Sequence, residues 1–251
     1  GGGLFFFSIF LLWWSSVYLH LLNVMNNLSV YKSNDLIDAS YQLSTQAQKL
    51  ILACLAKIDS RSEICKEMSI SANEFSELMG IPLKNAHRDL YKAADSLFDA
   101  EITLRIDGNV SRLRWVQESV EIHQGEGAIT LIWSDKVVAY ISQLQSRFTG
   151  YKLKNISLLQ SSHSIRIYEL LMRFKSTGDR SIELDDFKLA LGIVDKYALY
   201  KDLNKWVIKP ALKELNERSD LTVSFETIKK GRRVTGFVFS FKQESQQKID
   251  V

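Results

Sequence analysis

The stretch Ile70-Ser-Ala-Asn-Glu-Phe-Ser-Glu-Leu-Met-Gly-Ile81 has a counterpart 112 residues later, Ile182-Glu-Leu-Asp-Asp-Phe-Lys-Leu-Ala-Leu-Gly-Ile193. In both, an acidic residue precedes phenylalanine, and an apolar residue precedes Gly-Ile. The segment Ser71-Ala-Asn-Glu74 is a capping box, in which the serine hydroxyl and the glutamate carboxylate accept backbone N–H groups at a helix start. Glycine favours the left-handed conformation that ends a helix. Each stretch therefore predicts a short helix that ends at its glycine.

A longer amphipathic helix and a β-hairpin are predicted after each short helix. Apolar residues recur every three or four positions, as in a helix, and two strand-like runs then flank a polar turn. In the first copy the helix spans residues 84–99, and the strands 101–106 and 112–117 flank Asp107-Gly108-Asn109. In the second copy the helix spans 200–218 and the strands span 221–228 and 234–241. Helix, turn, helix and hairpin together indicate a winged helix.

We infer an α+β fold of two tandem winged-helix domains related by internal duplication. A twelve-residue match alone could arise by chance, but its continuation through helix and hairpin favours duplication. Pro210 lies inside the second long helix, where proline removes a hydrogen bond and clashes with the preceding turn. That helix is expected either to kink there or to be two helices, with Pro210 in the first turn of the second.

The predicted domain boundaries are residues 31–145 for the first winged helix and 146–251 for the second. Residues 1–30 form an apolar leader in which no charge precedes Lys32. Residues 4–22 are barely long enough to span a bilayer, and the basic flank of a secretory signal is missing. We expect an artefact ahead of a genuine start at Met25. The alternatives are a real membrane anchor and a buried helix.

The composition is that of a folded protein, with 46% hydrophobic and 24% charged residues and only 2 prolines, which argues against long disordered tails. The net charge of +3 says little by itself. Between Lys196 and Lys242, however, there are eleven Lys or Arg residues against five Asp or Glu. This clustering suggests a polyanionic partner, although a solvated charged face would give the same pattern.

Catalytic and metal-binding motifs are missing from the sequence. There is no G-x-x-x-x-G-K-[ST] phosphate loop, and no histidine pair with the His-x-His spacing that rolling-circle nicking enzymes use to bind a metal. Cys54 and Cys65 suit neither a disulfide framework nor a zinc site, which favours a reducing, cytoplasmic setting. We therefore expect a protein that is not an enzyme and has no cofactor or metal.

Several spaced segments recur in one known family. In the first half they are Asn34-Asp-Leu, Leu43-Ser and Gln48-Lys-Leu-Ile51. Phe148-Thr-Gly-Tyr-Lys-Leu and Ser164-Ile-Arg-Ile-Tyr-Glu-Leu-Leu171 follow, and then Lys209-Pro-Ala-Leu-Lys-Glu-Leu-Asn216, Asp220-Leu-Thr-Val and Lys229-Lys-Gly-Arg-Arg233. Together these segments resemble plasmid replication initiator (Rep) proteins of the iteron-binding, theta-type family. The likeness covers about residues 31–241, nearly all of the chain apart from the leader.

The resemblance implies that the protein binds repeated origin sequences (iterons) in double-stranded DNA, promotes origin opening and recruits the host initiator and helicase. It also implies a homodimer in equilibrium with the monomer, joined mainly through the first domain, which represses the rep promoter. Host chaperones would assist the conversion. The second domain would supply the main DNA binding.

Candidate DNA-binding residues follow from how a winged helix docks, with its second helix in the major groove and its hairpin, the wing, beside the backbone. Lysine, arginine and asparagine can bond base edges, whereas wing cations favour phosphates. For the first domain they are Lys84, Asn85, Arg88 and Lys92 on the helix, and Arg112 and Arg114 on the wing. For the second they are Tyr197, Tyr200, Lys201, Asn204 and Lys205, then Lys229, Lys230, Arg232 and Arg233. A solvated surface position is the alternative for each.

Other functions remain open at this point. A tandem winged-helix transcriptional regulator would show the same domains without a role in replication. A nicking enzyme is disfavoured by the missing metal motif. A membrane-tethered regulator requires that the leader is translated.

Overall fold

The computed structural model describes residues 27–58, 65–125, 127–142 and 147–244. The predicted leader lies outside these residues except for its last four positions, and so does the predicted domain boundary at 145/146. Across the described ranges, no helix is both long and apolar enough to cross a membrane.

The first half of the chain forms helices around a three-stranded sheet, with a separate two-stranded hairpin. The helices are α1 (Asn34–Asp38), α2 (Thr45–Ala56), α3 (Ala72–Met79), α4 (Leu83–Asp99) and α5 (Asp135–Ile141). The strands are β1 (Ser29–Ser33), β2 (Glu67–Ser71), β3 (Glu101–Ile106), β4 (Asn109–Arg114), β5 (Val116–Ile122) and β6 (Ala128–Trp133). The sheet has the order β2-β6-β5, and β3 pairs with β4 alone.

The predicted capping box and glycine stop enclose α3. The hydroxyl of Ser71 accepts the backbone N–H of Glu74 at 3.1 Å, and the Glu74 carboxylate accepts the N–H of Ser71 at 2.9 Å. Gly80 ends the helix with a φ of 60°, which a residue with a side chain rarely adopts. The chain then turns through Pro82 into α4, whose buried stripe includes Ala86, Leu90 and Leu97. The first helix-turn-helix is therefore present.

The first wing is the β3–β4 hairpin, and it is shorter than the sequence suggested. Its turn has positive φ at Asp107 (50°) and Gly108 (77°), as two-residue hairpin turns require. The predicted strand at residues 112–117 is wrong in extent, because β4 ends at Arg114 and the chain then joins a different sheet. Trp115, between the two strands, is completely buried. Burying this indole takes the chain out of the hairpin ladder.

The second half repeats the arrangement. Its strands are β7 (Phe148–Lys152), β8 (Asp179–Glu183), β9 (Leu221–Lys230) and β10 (Arg233–Gln243). Its helices are α6 (Lys154–Ser157), α7 (Ser162–Met172), α8 (Leu184–Ala190), α9 (Tyr200–Leu203), a π-helix (Asn204–Ile208) and α10 (Lys209–Arg218). The sheet order is β8-β10-β9. Gly192 follows α8 with a φ of 68°, as Gly80 follows α3. Two tandem winged helices in an α+β fold are confirmed.

Pro210 lies in the first turn of an α-helix, as the second alternative predicted, but no break separates that helix from the turns before it. Pro210 occupies the first turn of α10, where its missing N–H costs least. The turn before it is a π-helix, in which each bond spans five residues rather than four. The long helix therefore passes the proline by widening one turn.

The two halves are joined by a strand pair and a buried polar cluster. Strand β1 pairs antiparallel with β7, with Val30 opposite Tyr151, so residues 29–33 lie against the start of the second half. Beneath this ribbon lies a group that we call the Glu169 cluster. It consists of Lys32, Tyr41, Tyr151, Arg166 and Glu169.

The Glu169 carboxylate is the centre of that cluster and is completely buried. It accepts hydrogen bonds from Lys32 Nζ at 2.5 Å and from Arg166 Nη1 at 2.9 Å. The hydroxyl of Tyr151 donates to it at 2.8 Å. Burial by itself would raise the pKa of Glu169, but the charges of Lys32 and Arg166, with these hydrogen bonds, hold it below the usual value. The carboxylate is therefore ionised inside the protein.

Candidate nucleic-acid interface

We call the second helix of each helix-turn-helix its recognition helix, which is α4 in the first domain and residues 200–218 in the second. The first recognition helix presents a basic stripe on its exposed side. Its apolar residues face the core, so residues at four-residue spacing on the other side share one outward face. Lys84, Arg88 and Lys92 are exposed at that spacing, and Asn85 beside them is half-buried. Arg88 forms an ion pair with the neighbouring Asp89 at 3.0 Å. The two lysines are the more available cations of this stripe.

The first wing carries less free positive charge than the sequence suggested. Arg112 and Arg114 are both exposed, but they lie 3.9 Å and 3.6 Å from the carboxylate of Glu101 on the opposite strand. Arg114 also donates to the backbone carbonyl of Asp99. One carboxylate thus partly neutralises both guanidinium groups, which weakens the attraction of this wing for phosphates.

The second recognition helix places its predicted residues in two different environments. Lys201 and Lys205 are exposed. Tyr200 is half-buried, with its ring centroid 6.0 Å from that of Phe237, and burial raises its pKa. The side-chain oxygen of Asn204 is buried and has no hydrogen-bond partner among the described residues. The lysines are therefore free to reach a ligand, whereas Tyr200 and Asn204 are directed partly into the protein.

Tyr197, the remaining predicted residue of this region, lies just before the helix. It packs against the core while half-buried. Its φ is +54°, a left-handed conformation that is unusual for an aromatic residue. The backbone here is held in a specific shape by the surrounding packing.

The second wing is the most concentrated basic feature of the described chain. Strands β9 and β10 are ten and eleven residues long and meet at Gly231, whose φ is 62°. Four cations surround this turn, and all are exposed: Lys229, Lys230, Arg232 and Arg233. None of them lies within ion-pair distance of a carboxylate in the described ranges. Four unneutralised charges at the tip of a long hairpin are suited to a polyanion.

Sequence reasoning missed one exposed aromatic residue in this region. Trp206 lies in the π-helix, and 59% of its surface is exposed. The Nζ of Lys205 lies 4.5 Å from the centroid of its ring. Its exposure could have been inferred from the helical period, which places the next residue, Val207, in the core and turns Trp206 about 100° away from it.

The described residues contain no group of three or more side chains that could hold a metal ion. His87, on α4, is exposed. His163 is half-buried near the start of α7, and burial lowers its pKa. Neither histidine is part of a ligand set.

Two family models match the chain. The model described as "Initiator Replication protein, WH1" matches residues 29–172, more than half of the chain, and "Initiator Rep protein, WH2" matches residues 183–241. An Escherichia coli "Replication initiation protein" is 29% identical over 90% of this chain and 73% of its own length. An "Uncharacterized 27.6 kDa protein" of Escherichia coli is 26% identical over 85% of this chain and 93% of its own.

Among solved structures, "Crystal structure of Pi initiator protein in complex with iteron DNA" superposes with a TM-score of 0.76. The likeness covers 88% of this chain and 99% of that one at 21% identity, so it supports the fold alone. The order of the two matched models is the order of the two winged helices. The chain belongs to the replication initiator protein family, with a WH1 domain followed by a WH2 domain.

Proposed function

We propose that this protein initiates plasmid replication by binding repeated sequences in double-stranded origin DNA. The observation that carries the proposal is the second wing, where four exposed cations surround one turn on a chain of the initiator family. The similarly folded Pi initiator is described in complex with iteron DNA. Under this proposal, α4 and the helix from Tyr200 enter major grooves.

The two kinds of contact have different roles. Lys229, Lys230, Arg232 and Arg233 bind phosphates, which supplies affinity without sequence information. Lys84 and Asn85 lie in the first turn of α4 and Lys201 in that of α9, where a helix in the major groove contacts base edges. Lys92 and Lys205 lie further along the exposed side of the same helices. The partly buried Tyr197, Tyr200 and Asn204 support the backbone at the groove. Arg112 and Arg114, held by Glu101, contribute less than the second wing.

The salt dependence of DNA binding tests the second wing. Each phosphate contact contributes about 0.9 to the slope of log affinity against log salt concentration. Replacing all four wing cations with alanine should reduce that slope by about three to four and weaken binding to every duplex. The duplex would come from selection out of a random-sequence pool, and fluorescence anisotropy would give the affinities.

A control variant carries Lys57→Ala and Lys66→Ala, because both lysines are already paired with carboxylates, Glu74 at 2.7 Å and Asp135 at 2.5 Å. Its slope should stay at the parent value. An unchanged slope in the wing variant would remove this wing from the interface. An autonomous-replication assay, with the gene beside the selected repeats, then separates an initiator from a regulator.

We also propose that the protein forms a homodimer that represses the rep promoter, and that the monomer recruits host initiator, helicase and chaperones. This part is supported by the family alone. Sedimentation of the full chain with and without the selected duplex tests it, since an initiator that binds as a monomer should shift from dimer to a one-to-one complex.

A further inference from the structure

Trp206 is the largest side chain that the second recognition helix exposes. It stands 59% exposed, although burying an indole is among the largest hydrophobic gains a side chain offers. Lys205 lies over its ring, and Lys201 is exposed one turn earlier. An indole flanked by lysines has an apolar surface within a positively charged setting.

The π-helix determines which residues before it face outward. Residues of an α-helix advance by about 100° each. A helix that kept the phase of Ile208, Ala211 and Leu215 would bury positions 201 and 204 and expose position 203. The structure instead buries Leu203 and exposes Lys201. This is the change that one additional residue in the turn produces.

Pro210 is the physical reason for that extra residue. In an unbroken α-helix its nitrogen would donate to the carbonyl of Trp206, four residues earlier. Proline has no N–H, and its ring clashes with that carbonyl. Widening the turn removes the clash and lets Leu203 and Ile208, five residues apart, pack inside together. With this wider turn, Lys205 and Trp206 are both exposed on the outer face of the helix.

We propose that Trp206 is a specificity-determining residue that packs against the 5-methyl group of a thymine in the major groove. The proposal rests on the proposed function, since it requires this helix to enter the groove. Apolar side chains read thymine through its methyl group, whereas lysines read acceptor atoms. Lys201 and Lys205 hold the helix against the polyanion while the indole contacts the base. The partner of this surface is duplex DNA, because the helix that carries Trp206 and the second wing both expose positive charge.

The experiment replaces Trp206 with alanine and measures binding to the selected duplex and to an unrelated duplex. Specific affinity should fall at least about tenfold, as for a central aromatic contact. Affinity for the unrelated duplex and the salt slope should be unchanged. Trp206→Phe should retain most of the specific affinity. Because the side chain is exposed, the melting temperature of each variant should equal that of the parent.

A methyl deletion in the DNA provides the decisive readout. Each thymine of the selected duplex is replaced in turn by deoxyuridine, which lacks only the 5-methyl group. At one position the parent should lose about fourfold in affinity, the value of one buried methyl, while Trp206→Ala loses nothing further. If each methyl deletion costs Trp206→Ala as much affinity as it costs the parent, the losses are additive and the proposal is overturned.

Failure of this inference is distinguishable from failure of the proposed function. If Trp206→Ala binds the selected duplex as tightly as the parent, while the wing variant does not, the indole is not a DNA contact and only this inference fails. If the parent chain enriches no duplex, the proposed function fails as well.

Discussion

Replacing Glu169 with glutamine should be among the most destabilising single substitutions in this protein. Glutamine keeps the size of the side chain but removes its charge. The side chains of Lys32 and Arg166 are only 3% and 2% exposed, so both cations would remain buried without their counter-ion. Breaking a buried ion pair in this way costs about 3–5 kcal/mol. The whole domain fold is stabilised by about 5–15 kcal/mol.

Thermal unfolding followed by circular dichroism measures this loss. At roughly 2–4 °C for each kcal/mol in a chain of this size, the melting temperature should fall by about 6–20 °C. The matched control is Glu217→Gln, which removes an exposed pair with Lys213 at 3.8 Å. That control should cost at most about 0.5 kcal/mol.

A double variant separates the buried charge from simple packing. Adding Lys32→Met to Glu169→Gln removes one of the two uncompensated cations, so it should recover about 1 kcal/mol or more of the lost stability. A Glu169→Gln variant that melts within 2 °C of the parent, or a double variant that is less stable than the single one, would refute this reasoning.

The same cluster predicts a dependence on pH. The pKa of Glu169 is lowered in the folded protein, so the unfolded state binds the proton first. The stabilisation by the ionised Glu169 carboxylate is therefore complete above about pH 4.3, the pKa of glutamate in the unfolded chain. It is lost as the pH falls through the lower pKa of the folded state. In Glu169→Gln this acid-dependent part of the stability should be missing, which urea unfolding at a series of pH values will show.

Two further substitutions test the helix-turn-helix corners. Ser71→Ala removes the hydroxyl that caps α3 and should lower the free energy of unfolding in urea by about 1 kcal/mol. No change would show that water satisfies the freed backbone N–H of Glu74 equally well. Gly192→Ala should cost more than Gly108→Ala, although both have positive φ, because a Cβ at Gly192 would lie 2.5 Å from the carbonyl oxygen of Tyr41, whereas Gly108 has open space. Left-handed strain alone is about 1–2 kcal/mol, and equal losses at the two glycines would contradict the close approach to Tyr41.

The parts of the fold that follow from local chemistry could be predicted from the sequence. The capping box at Ser71 and the left-handed Gly80 depend on residues within one or two turns, and both hairpins follow from their own turn residues. The pairing of β1 with β7 could not be predicted, because its partners are more than 100 residues apart and both strands are short. The break at Trp115 depends on burial of an indole in a core that only the folded chain forms.

The candidate site was predicted in part for the same reason. The outward lysines of α4 follow directly from its apolar stripe. In the second domain, Lys201 and Lys205 are exposed as the helical period indicated, but the extra residue of the π-helix before Pro210 cannot be inferred from that period. The buried side-chain oxygen of Asn204 and the contact of Lys205 with the Trp206 ring both depend on packing that only the folded helix forms. Neutralisation of Arg112 and Arg114 by Glu101 depends on cross-strand register.

The Glu169 cluster also bears on how the two domains could act on one duplex. Arg166 donates to the carbonyls of Ile37 and Ala39 before α2, and to that of Ala190 at the end of α8. One buried guanidinium thus holds the second helix-turn-helix against the first half of the chain. A fixed geometry makes the second DNA contact an intramolecular event, whose effective concentration falls when the connection loosens. Under the proposed function, Glu169→Gln below its melting temperature should therefore weaken binding to a duplex that engages both domains while leaving the salt slope unchanged, because no phosphate contact is removed.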